Sequence, residues 1–185
     1  MRILTSNSKN SSFLSLCFEL IESIVQGIFI VVLLICFVVR TVNISGESML
    51  PTLNDNDKVI IWELNYKPKV GDIVVIKRGK YLDVPLIKRI IATENQTINI
   101  DYLNDKIFVN NQELNENYTR EKVLWLQGDI ELPCKIPENH VWVMGDNRNN
   151  STDSRFTEVG LIPVENIIGK AVFRISPFDN IGILK

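Results

Sequence analysis

A serine and a lysine are the two side chains of this sequence with the clearest capacity for chemistry. Ser48 stands in the segment SGESMLP (45–51), shortly after a long apolar run, and Lys88 stands in the strand-like segment LIKRII (86–91). A serine hydroxyl needs a base to become a nucleophile, and the chain has a single histidine, His140. A lysine can act as that base when burial in an apolar site keeps its amine neutral. The pair therefore indicates nucleophilic catalysis by a serine with a lysine base.

Each of the two residues also has a plainer interpretation. Side chains alternate along a strand, so Lys88 shares one face with Leu86 and Ile90 and is desolvated if that face points inward. Alternatively, Lys88 and Arg89 lie at a rim with their charged ends in water. Ser48 can equally be a solvated or capping residue in a loop. Taken singly, each residue favours the plainer interpretation, so the other motifs have to decide.

A third motif is the polar run GDNRNNSTDSR (145–155). Such a run is typical of a surface loop with Asx turns and an Asp–Arg bridge. It can also form a shell of hydrogen bonds that orients a catalytic group.

An apolar segment near the N-terminus predicts a membrane anchor over residues 21–39. Every residue of 28–39 is apolar, Arg40 closes the run, and the extension back to residue 21 reaches the ~20 residues that span a bilayer. Polar residues at helical spacing (Glu19, Glu22, Ser23 and Gln26) form a stripe on its first turns. A buried core helix and a cleaved signal peptide are the alternatives, but no small-x-small cleavage site follows the run.

The flanking charges give the expected topology. Arg2, Lys9 and the amino terminus favour a cytoplasmic segment 1–20, whereas Arg40 opposes it. Residues 40–185 are then extracytoplasmic, on the outer side of the plasma membrane.

The remainder predicts a mainly β fold, an antiparallel sheet system or distorted barrel. We expect a hairpin turn at Asn110-Asn111 and an inserted subdomain or extended hairpin over residues 93–139. The predicted strands are 58–62, 73–77, 84–92, 97–101, 106–109, 140–144 and 167–175.

Composition excludes several classes of protein. The chain has 185 residues with a net charge of −2, which argues against a nucleic-acid partner. Three scattered cysteines and one histidine give neither a disulfide framework nor the spacing of a zinc site.

The order of the motifs carries a family resemblance. An anchor is followed by Ser-Met-x-Pro, a Gly-Asp strand, the Lys-Arg strand and then Gly-Asp-Asn-Arg-x-x-Ser-x-Asp-Ser-Arg. In this order the chain resembles the bacterial type I signal peptidases, membrane-anchored Ser-Lys proteases that remove signal peptides. The segment VENIIGKA (164–171) is similar to the closing segment of that family.

The resemblance implies roles for individual residues. Ser48 would be the nucleophile and Lys88 its general base, and Ser151 would hydrogen-bond and orient the lysine amine. Asp153 and Arg155 would form a supporting salt bridge.

The resemblance also implies the setting of the site. Met49 would help to shape the substrate cleft, whereas Asp146 and Arg148 would be structural. The substrates would be secretory preproteins with small-x-small cleavage sites, met beside the bilayer and near the secretion translocon, and no metal or cofactor would be needed.

Three departures from the family pattern stand out. Gly46 occupies a position where some members carry a serine that donates to the oxyanion, which leaves the second oxyanion donor open. The stretch ATENQ (92–96) replaces a Leu-Pro-Gly-Asp-like turn. A short insert and a single span resemble the compact Gram-positive members.

Other functions are compatible with parts of the pattern. Self-cleaving repressor-type proteases also use a Ser-Met pair and a lysine, but they carry a DNA-binding domain and no anchor. A Ser-Lys peptidase dedicated to one pilus or secretion substrate and an inactive, membrane-tethered homologue stay open. A zinc or Ser-His hydrolase lacks the histidines it needs, and we expect His140 to be a structural residue at a strand edge.

Overall fold

The computed structural model describes residues 6–77, 85–121 and 127–184. By its internal contacts the chain divides into two compact units, residues 1–39 and 40–185.

The first unit is a single helix, α1 (Ser6–Val38). Its stretch Phe13–Leu33 has 21 residues and a mean hydropathy of 2.1, and no part of it is buried, so its length and composition suit a membrane span. The predicted polar stripe is helical, since Ser23 Oγ donates to the carbonyl of Glu19 and Gln26 to the carboxylate of Glu22.

The bounds of the apolar stretch differ from those predicted from the sequence. It begins eight residues before residue 21, because six of the eight residues over 13–20 are apolar and only Ser15 and Glu19 interrupt them. At the other end, Val39 belongs to the first strand and not to the helix.

The second unit is built from two antiparallel sheets. The larger has the order β1-β2-β11-β3-β4-β9-β10, with β12 paired to β11, and the smaller has the order β7-β6-β5-β8. The strands are β1 (Val39–Asn43), β2 (Lys58–Trp62), β3 (Ile73–Ile76), β4 (Leu86–Ala92), β5 (Thr97–Asp101), β6 (Lys106–Val109), β7 (Gln112–Glu113), β8 (Cys134–Lys135), β9 (His140–Met144), β10 (Ile162–Pro163), β11 (Ile167–Ser176) and β12 (Gly182–Ile183).

The predicted mainly β, antiparallel fold with one N-terminal apolar helix is confirmed. Each predicted strand has a counterpart within a residue or two, although Val84 lies outside the described residues. Asn110 and Asn111 form the predicted hairpin turn, with positive φ angles of 49° and 63°. The small sheet lies within the predicted insert 93–139.

Strand β4 lies where the three apolar core clusters meet. Ile87 packs in one cluster, Ile91 and Ala92 in a second, and Ile90 in a third. Both faces of β4 are therefore buried, and so are its two cations: Lys88 is 3% exposed and Arg89 is 1% exposed. The alternative that placed these cations at a solvated rim is wrong, because the apolar clusters that pack against β4 bury both of its faces.

Candidate active site

The fold brings the predicted serine and lysine into direct contact. Lys88 Nζ lies 2.7 Å from Ser48 Oγ and also donates to the carbonyl of Ile87 at 3.0 Å. When the amine is charged it donates to the hydroxyl, and when it is neutral the hydroxyl can donate to it. The contact is the geometry that proton transfer from serine to lysine requires.

Ser48 is presented by a tight turn after β1. Gly46 has a φ of +89°, a conformation that glycine adopts freely, and its N–H donates to Asp55 Oδ1. The N–H of Leu53 donates to the carbonyl of Met49, and Met49 itself is fully buried in the core beside β2 and β3. The turn is thus anchored on both sides of the half-buried Ser48. The part of Met49 in shaping the substrate cleft stays a prediction.

Burial lowers the pKa of the Lys88 amine from 10.5 to about 8. Desolvation is the largest cause, and the carboxylates of Asp153 and Asp146 oppose it by favouring the charged form. Arg155 lowers the pKa further. A substantial fraction of the amine is therefore neutral near physiological pH and available as a base.

Gly145 is the first residue of the polar run 145–155, here the polar loop, and it packs against the turn that carries Ser48, here the serine turn. A Cβ built on it would meet Ser151 Oγ at 2.4 Å and the carbonyl oxygen of Ser48 at 2.5 Å, so no other residue fits without displacing them. Two residues further along the polar loop, the N–H of Asn147 donates to the same Ser48 carbonyl at 3.0 Å. The Asn147 side chain donates to the carbonyl of Glu47. The polar loop consequently holds the backbone of the nucleophile directly.

Asp153 and Arg155 form the predicted salt bridge, and both side chains are fully buried. Arg155 Nε is 2.8 Å from Asp153 Oδ1, and Arg155 Nη2 is 2.9 Å from Asp153 Oδ2. The same carboxylate accepts the N–H of Gly145 at 3.1 Å. The bridge therefore also fixes the backbone N–H of Gly145.

Ser151 is close to the site but does not make the hydrogen bond to Lys88 that the resemblance implies. Its side chain packs directly against Gly145, and the residue is 5% exposed. Among the described residues its Oγ has no hydrogen-bond partner. Its role in orienting the lysine stays a prediction.

A second buried ion pair was not predicted as a pair. Arg89 Nε and Nη2 donate to the two carboxylate oxygens of Asp146 at 2.8 and 2.7 Å, and Thr52 Oγ1 donates to the same carboxylate. Arg89 Nη1 also donates to the carbonyl of Gly71. The sequence did show a second cation, Arg89, beside Lys88 in an apolar strand. No local pattern connects Arg89 with Asp146, which lies 57 positions further along the chain.

His140 has the structural position expected for it. It is the first residue of β9, opposite Pro163 of the edge strand β10, and its Nδ1 is 2.8 Å from the carbonyl of Glu138.

A half-buried serine in contact with a buried lysine amine is an arrangement that a serine hydrolase with a lysine base can use. A family model described as signal peptidase, peptidase S26, matches residues 17–176, so the chain belongs to this family of serine peptidases.

Curated relatives agree with the family model. A signal peptidase I of Leptolyngbya laminosa is 37% identical over 80% of this chain and 74% of its own length. A probable signal peptidase I-1 of Synechocystis is 36% identical, covering 90% of this chain and 86% of the relative. A signal peptidase I of Bacillus licheniformis is 32% identical, and the match covers 96% of this chain and 95% of the relative. The resemblance to type I signal peptidases is confirmed.

Proposed function

We propose that this chain is a membrane-anchored endopeptidase that removes N-terminal signal peptides from secretory preproteins by a Ser-Lys acyl-enzyme mechanism. The observation that carries the mechanism is the 2.7 Å contact between Ser48 Oγ and the amine of Lys88, a side chain that is 3% exposed.

The first half of the reaction forms the acyl-enzyme. Neutral Lys88 takes the proton of the Ser48 hydroxyl as Oγ attacks the scissile carbonyl carbon. A tetrahedral oxyanion develops, and the backbone N–H of Ser48 is the donor we expect to stabilise it. The protonated lysine then gives its proton to the leaving amine of the mature protein as the peptide bond breaks.

The second half of the reaction is hydrolysis of the ester. Lys88 removes a proton from a water molecule as its oxygen attacks the acyl carbon. The bond to Ser48 Oγ then breaks, Oγ takes the proton back from Lys88, and the signal peptide leaves with a new carboxyl terminus. We assign to Ser151 the task of orienting the lysine amine, which its buried and unsatisfied hydroxyl supports. Asp153 and Arg155 hold the loop that carries Gly145.

The apolar helix supports membrane attachment. We propose that α1 crosses the plasma membrane once, with residues 40–185 on the extracytoplasmic side and near the secretion translocon. The enzyme is then confined to the layer in which a signal peptide presents its cleavage site. The substrates we expect are preproteins with small residues at the first and third positions before the cut.

The test is cleavage of a preprotein with an Ala-x-Ala site by the full-length protein in detergent, followed by mass spectrometry of the new N-terminus. We expect a cut after the second alanine, and loss of that cut in Ser48→Ala and in Lys88→Arg. Arginine keeps the positive charge but stays protonated, so it cannot serve as a base. Cleavage that persists in Lys88→Arg would remove Lys88 from the mechanism.

A further inference from the structure

The loop that follows β7 of the small sheet (residues 114–121, here the arm loop) reaches the polar loop of the active site. The backbone N–H of Arg120 donates to the carbonyl of Asp146 at 3.1 Å. Asn149 Nδ2 donates to Glu121 Oε2 at 2.7 Å. The two loops are far apart in sequence, so these contacts tie the small sheet to the catalytic centre.

The central contact of the arm loop is a bidentate ion pair between Glu116 and Arg148. Arg148 Nη1 donates to Glu116 Oε2 at 2.8 Å, and Nη2 donates to Glu116 Oε1. The Arg148 side chain is 1% exposed and that of Glu116 is 15% exposed. Two parallel hydrogen bonds fix the plane of a guanidinium as well as its position.

The guanidinium of Arg148 acts in turn on the site itself. Its third donor, Nε, lies 2.9 Å from the carbonyl oxygen of Gly145. Gly145 is the residue against which both Ser151 Oγ and the Ser48 carbonyl pack. A continuous series of contacts therefore runs from Glu116 through Arg148 and Gly145 to the nucleophile.

We propose that Glu116 is a positioning residue of the Ser-Lys site: by fixing Arg148, it holds the Gly145 peptide in the orientation that keeps Ser48 in line with Lys88. This inference rests on the function proposed above. The small sheet then contributes to catalysis, because its arm loop supplies the carboxylate of Glu116.

The surroundings explain why Arg148 needs this carboxylate. Arg148 and Glu116 are both among the residues that line an open polar cavity of about 610 Å³. The other close neighbour of Arg148 in the arm loop is the Tyr118 ring, whose centroid is 6.0 Å from Arg148 and 4.0 Å from Arg89. Without Glu116 the buried cation would lose its charge partner, and rotation into the cavity would restore its solvation at the cost of the bond to Gly145.

The variant that tests the proposal is Glu116→Gln, which keeps the size of the side chain and removes its charge. The matched control is Glu113→Gln in the same sheet, where the partner is Lys106 and the two side chains are 53% and 43% exposed. In cleavage of an Ala-x-Ala preprotein by the full-length protein, we expect kcat to fall about tenfold to a hundredfold in Glu116→Gln, as for a small misplacement of reacting groups. KM should stay unchanged, and Glu113→Gln should match the wild type.

Two further measurements separate positioning from folding. Melting temperature and near-ultraviolet circular dichroism give the folded fraction to which kcat is normalised, and Glu116→Asp, which retains the charge, should recover part of the lost kcat. In an Arg148→Met background, Glu116→Gln should cause no further loss, because both act through one contact.

Three outcomes would overturn the inference while leaving the proposed function intact. The first is a folded Glu116→Gln protein with the kcat of the wild type. The second is a Glu116→Gln protein in which only KM changes. The third is a double variant in which the losses of kcat from Glu116→Gln and Arg148→Met add fully. A wild-type protein that does not cleave would instead refute the proposed function, and the inference with it.

Discussion

At the scale of single residues, Lys88 is the side chain whose ionisation controls the reaction. Its pKa of about 8 means that the neutral, active amine becomes more abundant as the pH rises through 8. We expect kcat/KM to increase roughly tenfold per pH unit below pH 7 and to level off above pH 8. A pH–rate profile with a short soluble peptide measures this, and a flat profile between pH 5 and 8 would contradict it.

The same burial of Lys88 lowers the stability of the folded state. A pKa lowered from 10.5 to about 8 means that burying the ammonium costs about 3 kcal/mol at neutral pH. The cost is complete well below pH 8, where the amine is charged in both the folded and the unfolded state. It disappears as the pH rises from 8 to 10.5, because the folded state binds fewer protons in that window.

We therefore expect Lys88→Met to be inactive but more stable than the wild type at pH 7. Methionine fills a similar volume without a charge. Denaturant unfolding at pH 7 and at pH 10 measures the difference, which should shrink at the higher pH. A Lys88→Met protein less stable than the wild type at pH 7 would show that the amine contributes more in hydrogen bonds than it costs in desolvation.

The Asp153–Arg155 pair gives the opposite expectation for stability. Both side chains are 0% exposed, so Asp153→Asn removes the carboxylate that pairs with a buried guanidinium. We expect a loss of about 3–5 kcal/mol in the free energy of unfolding. In the exposed pair Lys106–Glu113, Glu113→Gln should cost less than about 1 kcal/mol. Equal effects of the two substitutions in urea titrations would contradict this ranking.

At the scale of elements, the active site depends on the close approach of the serine turn and the polar loop at Gly145. Gly145→Ala would place a methyl group 2.4 Å from Ser151 Oγ and 2.5 Å from the carbonyl oxygen of Ser48, and the second of these is backbone. We expect kcat to fall by about a hundredfold or more, because the turn that carries Ser48 must move. The measurement is cleavage of the same preprotein.

The control for this substitution is Gly182→Ala in β12. A Cβ there meets no atom within 4 Å, so activity and stability should match the wild type. Full activity in Gly145→Ala would show that the two elements can separate without loss of the catalytic geometry.

The elements themselves were largely predictable from the sequence, whereas their long-range pairing was not. Short apolar runs bounded by turn residues placed the strands, and Asn110-Asn111 placed a hairpin. The alternation in 86–91 predicted one inward face for Lys88, but β4 is buried on both faces because separate apolar clusters pack against them. Periodicity within a single strand carries no information about what covers its second face.

The same limit applies to the site. The family motifs named Ser48, Lys88, Asp153 and Arg155, and the structure brings these residues together. Glu116 was missed because it stands in an ordinary polar loop, 32 residues from its partner Arg148. A contact of that kind depends on how the small sheet packs, which no local pattern specifies.

At the scale of the whole molecule, the division into two compact units predicts that the second folds independently. We expect a chain lacking residues 1–38 to retain the melting temperature of the catalytic unit and its rate on a soluble peptide, because the core clusters lie within residues 40–185. Cleavage of a preprotein held in vesicles should fall strongly, since the truncated enzyme no longer shares the membrane with its substrate. A truncated protein that fails to fold, or that cleaves the embedded preprotein as fast as the full chain, would contradict this.

The 3% exposure of Lys88 also makes it a reporter of internal motion. Above pH 8 its amine is neutral and chemically more reactive than that of an ordinary lysine, yet an acylating dye cannot reach it in the closed protein. The speed at which such a dye labels Lys88 then measures how often the centre of the domain opens. Comparing the labelling rates with and without a bound peptide would show whether the peptide changes the frequency of these local openings.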